Sequence, residues 1–162
     1  GAIFTQAGTA PNVVTDKATL RMTVRGATVS DLEDIILPAI KAAANCIATS
    51  YGATVDMHHY EPLFKDMRQD ERLVSLFDEV MTELGESPRK LPPDEADGST
   101  DVGNVSYEVP TAQPTLNIGN QLEAHTPEFA CAAGSPYGLD QAIKGAKIMA
   151  VVALRYAESL EV

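Results

Sequence analysis

The chain opens on strand-forming sequence. Ala2 to Ala7 is a short run ended by the turn signals Gly8-Thr9-Ala10-Pro11-Asn12. Ala18, Leu20, Met22 and Val24 then alternate with Thr19, Arg21, Thr23 and Arg25. That period of two predicts a strand with one apolar face and one face carrying Arg21, Thr23 and Arg25. After Gly26 the period lengthens: Leu32, Ile35, Ile36, Ala39, Ile40, Ala43 and Ile47 form a helical stripe. Ser30 and Glu33 have capping-box spacing at its start. Pro38 lies inside the stripe and predicts a kink, since it cannot donate to the Asp34 carbonyl. Gly52 closes the helix, and Ala53 to His58 reads as a further strand. Residues 1–62 therefore read strand, strand, helix, strand, which is the back portion of an α+β unit. A complete split-βαβ unit begins with one more strand and helix, so the expectation is a chain cut from something longer.

The pattern changes around Glu61-Pro62. Asp70 to Gly85 predicts a second amphipathic helix with Leu73, Leu76, Phe77, Val80 and Leu84 as its stripe. Glu86 to Thr100 is rich in Pro, Asp and Gly and reads as a loop. Asp101 to Ser106 predicts a short helix, Thr115 to Ile118 a buried strand, and Gly119 to Glu123 a turn. Leu139 to Glu158 predicts the last helix, with Ile143, Ala146, Ile148, Val151, Leu154 and Ala157 near helical spacing. The expected division is 1–62 and 63–162.

Composition narrows the partners. The 162 residues carry 23 Asp and Glu against 12 Lys and Arg, a formal net charge of −11. A pI near 4.5 argues against nucleic acid, which requires a basic face, and against an anionic membrane surface. No apolar run approaches the roughly 20 residues that span a bilayer. Cys46 and Cys131 lie 85 positions apart with no CxxC; they could pair, but read more readily as two small apolar residues in a reducing cytosol. The first residues, Gly1-Ala2-Ile3-Phe4-Thr5, show neither an initiator Met nor a signal-peptide pattern.

Few residues carry chemistry. His58 and His59 are adjacent on the expected strand and face opposite ways, so the pair cannot easily grip one ion and reads as surface or interface residues. His125 stands in Glu123-Ala124-His125-Thr126-Pro127-Glu128-Phe129, between an expected strand end and the final helix, where sites on open sheets are built. Glu128 is placed to fix the tautomer of a metal-bound imidazole; the alternative is a hydrogen-bonded surface histidine. Gly98, Ser99 and Thr100 open a helix whose N–H groups and hydroxyls can receive a carboxylate, or the hydroxyls simply cap it. Arg25, thirteen residues after Asn12, can clamp a carboxylate in bidentate fashion or point to solvent. HExxH, GxSxG and GxxxxGK[ST] are all missing. A catalytic zinc needs about three protein ligands, so the residues alone describe no self-sufficient enzyme.

Taken in order, these motifs resemble one family. Gly8-Thr9-Ala10-Pro11-Asn12-Val13-Val14, Ala18-Thr19-Leu20-Arg21 and Val24-Arg25 resemble the lid-domain hairpin of the aminoacylase/carboxypeptidase G-like zinc metallopeptidases. Gly98 to Ser106, Val109-Pro110, His125 to Phe129 and Ala133-Gly134 resemble the last part of their catalytic domain. The nearest branch is the aminoacylase-1-like dipeptidases and amidohydrolases. One departure is Thr15, where the family usually has proline.

The resemblance implies a fold class of α/β, with an α+β lid portion and the C-terminal part of an α/β catalytic domain. It implies two zinc ions in the full-length enzyme, manganese or cobalt being alternatives, and a zinc-activated water that hydrolyses the amide of a dipeptide or small N-acyl amino acid. His125 would be a metal ligand; Asn12, Arg25, Gly98, Ser99 and Thr100 would bind substrate. Asp101 would orient its loop. No catalytic residue is expected within the chain, because the remaining ligands and the general-base glutamate belong to the N-terminal half of such enzymes. The chain alone is expected to be inactive. A homodimer through the lid and a cytoplasmic location are expected; the rival is a non-catalytic oligomerisation or carboxylate-binding module.

Overall fold

The computed structural model describes residues 1–91, 98–120 and 122–160. The architecture is α+β, and the chain divides into two compact units, Gly1–Asp66 and Met67–Val162.

In the first unit, β1 (Ala2–Gln6) pairs antiparallel with β2 (Thr19–Met22). Ile3 faces Arg21 and Phe4 faces Leu20; the register then slips so that Gln6 faces Thr19, leaving Thr5 in a bulge. The expected apolar sheet face exists and is only partly covered within its unit: Phe4 is 69% exposed and Leu20 46%. A helical segment follows, π-helical over Asp31–Ile36 and α-helical as α1 (Leu37–Ser50). Its first turn is fixed by Thr28, not by Ser30, which is itself helical and makes no capping bond. The Thr28 hydroxyl accepts from the Asp31 N–H at 3.1 Å, and the Asp31 carboxylate accepts from the Thr28 N–H at 3.2 Å. That reciprocal pair is the capping box, two residues earlier than expected. The Pro38 kink takes the form of the π stretch just before it: Leu37 N–H reaches back to Leu32, a five-residue step that widens the coil where the proline ring would crowd the i−4 carbonyl.

Helix α1 ends at Gly52, whose φ of +67° lets Ala53 N–H return to Ala48 O at 2.9 Å. Beyond it, the strand expected at Ala53–His58 does not form. The segment is exposed and enters no ladder, and His58 and His59 lie on it.

The second unit is held by α2 (Glu71–Glu83) and α5 (Pro136–Glu158). Asp70 caps α2 by accepting from Leu73 N–H at 2.9 Å, while its own N–H donates to Thr111 O at 2.8 Å. Gly85, at φ +83°, closes α2 with Glu86 N–H returning to Met81 O at 2.9 Å. Val80, Met81, Ile148 and Val152 form the buried cluster, flanked by Leu73, Leu76, Phe77, Leu116 and Val151. Leu84, expected in the stripe, is 39% exposed. Between these helices come α3 (Val102–Val105) and α4 (Pro127–Ala133). Helices α4 and α5 meet so closely that a Cβ at Gly138 would lie 2.3 Å from Ala132 O. Thr115–Ile118 packs Leu116 on the core but pairs with no strand, correcting the strand reading there.

Candidate functional site

His125, the expected metal ligand, belongs to the second unit. It lies in the turn before α4 with φ +66°, the one non-glycine residue with positive φ among the described residues. A left-handed backbone costs a non-glycine residue roughly 1–2 kcal/mol, and such strain persists only where surrounding contacts impose it. Those contacts are the next residue's. Thr126 donates its hydroxyl to Glu123 O at 2.7 Å and accepts from Phe129 N–H at 3.2 Å, with Pro127 completing the first turn. The result presents an exposed imidazole at the mouth of α4. No hydrogen bond joins Glu128 to this imidazole among the described residues.

The Gly98–Thr100 run leads into α3. Helix α3 spans four residues, too few to build a useful dipole. The Thr100 hydroxyl accepts from Val102 N–H at 3.3 Å, and Gly103 N–H reaches Thr100 O at 3.2 Å. Gly98 has φ +93° and open space around its Cα. Ser106, at the end of α3, holds Arg68 N–H at 2.9 Å, and the Arg68 guanidinium stacks on Tyr107 at 3.6 Å.

In the first unit, Asn12 sits in the turn linking β1 to β2. Arg25 lies three residues past the end of β2, so it is placed by the connection to the helix and not by the sheet face. Arg21 does remain on the strand, its guanidinium 5.2 Å from the Tyr60 ring.

Sequence reasoning missed a polar node on α5. Gln141 is 3% exposed, and its amide donates to Asn117 O at 3.0 Å, Tyr137 Oη at 3.1 Å and Glu86 Oε1 at 3.4 Å. Lys144 pairs with the same Glu86 carboxylate. The Lys144 hydrogen bond holds the Glu86 carboxyl below its ordinary value, against the upward push of burial. This node ties the residue that follows α2 and the segment leading to His125 onto one helix. The signal was present as a lone amide among the small and apolar residues of α5.

Among the described residues, no group of three or more His, Cys, Asp or Glu side chains could hold a metal ion. His125 fits a single position in a metal site and has no companion ligand here. Cys46 and Cys131 are both free and exposed. No helix among the described residues is long and apolar enough to cross a membrane.

No family model matches the chain. It is similar to the Xaa-Arg dipeptidase of Mus musculus, 28% identical over 160 residues, which cover 94% of the chain and 36% of that protein. It is also similar to the Xaa-Arg dipeptidase of Homo sapiens, 42% identical over 57 residues, covering 35% of the chain and 13% of that protein. The chain thus spans about a third of the mouse relative. The relationship is to a peptidase-type hydrolase.

Proposed function

We propose that this chain is the C-terminal part of a metal-dependent dipeptidase or amidohydrolase that cleaves a dipeptide or small N-acyl amino acid. The observation that carries the reading is the left-handed backbone imposed on His125, inside the His-Thr-Pro-Glu motif by which the chain resembles the zinc metallopeptidases. The similarity to two Xaa-Arg dipeptidases supports it independently.

His125 serves as one zinc ligand through its exposed imidazole; its fixed turn sets where that imidazole projects. The other ligands and the general base come from polypeptide outside this chain, so no catalytic step is assigned to these residues and the chain alone is inactive. Arg25 offers two parallel N–H donors to a substrate carboxylate, a geometry a flexible lysine does not reproduce. Asn12, in its turn, adds a neutral amide that can accept or donate near the scissile bond. Gly98, Ser99 and Thr100 would line the substrate pocket of the whole protein, the glycine permitting close approach of substrate to backbone. The uncovered β1–β2 ribbon supports a homodimer formed through the first unit, and the absence of any membrane-crossing helix among the described residues is compatible with a cytoplasmic enzyme.

The test is made in the longer gene product. His125→Ala is expected to lower dipeptide hydrolysis by at least about a thousandfold, on the order of 4 kcal/mol, and to reduce bound zinc by mass spectrometry. Unchanged activity removes the ligand assignment. Arg25→Ala is expected to raise KM with little change in kcat, and only for substrates with a free α-carboxylate. An equal effect on substrates lacking that carboxylate removes the clamp.

A further inference from the structure

Helix α5 is apolar on two sides. One side carries Ile148 and Val152 into the core, at 2% and 3% exposure. Plotted at roughly 100° per residue, the opposite side is an arc of about 140° without one polar side chain. Leu139, Ile143, Met149 and Leu154 on that arc are 57%, 57%, 59% and 66% exposed, and alanines including Ala146 and Ala150 fill the gaps between them. The charged residues of the helix, Asp140, Lys144, Lys147, Arg155 and Glu158, are confined to the remaining flank, and its buried amide, Gln141, lies on the core side.

A surface helix keeps one apolar stripe; a helix that is apolar nearly all round is buried on both sides. The uncovered stripe runs the length of a 23-residue helix, about 34 Å. Exposed apolar surface of that extent marks a contact. Small residues between branched ones make a shallow, regular surface that suits a close-packed layer of secondary structure more than a mobile loop. A net charge of −11 works against an anionic lipid surface as the occupant. The mouse relative is almost three times as long as the stretch it shares with this chain, so its counterpart of α5 folds amid much further polypeptide.

We infer that the outer face of α5 is an internal docking surface, covered by further polypeptide of the same protein that is not among these 162 residues. It makes α5 the central layer of a larger domain, sandwiched between α2 and a second apolar layer. The inference rests on the reading of this chain as part of a larger hydrolase and adds which of its surfaces joins the rest.

Cysteine labelling tests it. Cys46 and Cys131 are replaced by serine, and a reporter is introduced as Ala150→Cys, with Ala146→Cys as a second reporter in case the first perturbs folding. Maleimide labelling is followed in the 162-residue chain and in the longer polypeptide expressed from the same gene. The expected result is labelling at least tenfold slower in the longer polypeptide and independent of concentration in the shorter chain. Equal rates in both overturn the inference. Slowing with concentration in the 162-residue chain also overturns it, because the occupant is then a second copy. A native protein no longer than 162 residues by mass overturns it as well. Dipeptide hydrolysis is measured on the same samples. A protected reporter without hydrolysis removes the dipeptidase reading and keeps this one, whereas hydrolysis with an unprotected reporter removes this one alone.

Discussion

The two units of the chain bury their apolar residues very differently. In the second, α2 and α5 enclose Val80, Met81, Ile148 and Val152, with Val80 only 1% exposed. In the first, the buried apolar residue is Ala48, at 9%, while Ile3 and Phe4 on β1 are 64% and 69% exposed. Both units have comparable apolar content in their elements, so the difference is one of partners. Two facing helices can satisfy one another, whereas a two-stranded ribbon with one helix leaves each face short of cover. An isolated ribbon is marginal in water. The first unit is therefore the one whose structure depends most on what it meets.

The sharpest way to break this contrast is to truncate matched residues. Ile148→Ala is expected to cost about 2–5 kcal/mol, through lost burial and the cavity left behind. Phe4→Ala is expected to cost under about 0.5 kcal/mol in the same chain, as an exposed position does. Urea unfolding followed at each unit separately reads both, and equal losses would mean that β1 is packed after all. A smaller effect sharpens the contrast from the other direction. Thr28→Ala removes the hydroxyl side of the capping box and leaves the backbone N–H of residue 28 on the Asp31 carboxylate; it is expected to cost about 1 kcal/mol, seen as faster amide exchange confined to the first turns of the helix before α1. If exchange rises equally in α2, the units are more strongly coupled than their separate cores indicate.

The smallest effect concerns acid. Glu86 has its carboxyl lowered in the folded state, chiefly by Lys144. An ordinary glutamate titrates near about 4.3, so the pair's contribution is complete above that value and is lost as pH falls through the depressed folded value. Glu86→Gln is expected to flatten the fall in second-unit stability on acidification below about pH 4.3, by no more than about 1 kcal/mol. A profile identical to that of the parent chain would remove the pair from the balance.

What the sequence discloses follows the locality of each interaction. Helix α2 was legible almost to the residue, because Asp70, its stripe and Gly85 all lie within or beside it. The start of the helix before α1 was misplaced by two residues, since Thr28–Asp31 and Ser30–Glu33 are overlapping versions of one signal and only backbone geometry chooses between them. Ala53–His58 and Thr115–Ile118 have strand composition, but a strand is a property of a pair, and neither has one. The expected stripe on α5 mixed buried Ile148 with exposed Ile143 and Leu154, because a helix apolar on two sides has no single periodic face to find. For the site, His125 and its motif were visible in one dimension, while the strain in its backbone and the Gln141 node were not.

The left-handed turn at His125 sets stability against usefulness at a single position. Glycine occupies that conformation without steric penalty, so His125→Gly is expected to leave melting temperature unchanged or to raise it, while abolishing hydrolysis in the longer protein. Left to drift without selection on activity, this is a position where the fold itself would favour discarding the imidazole. A screen for thermostable variants of the longer protein would therefore enrich replacement of His125 by glycine.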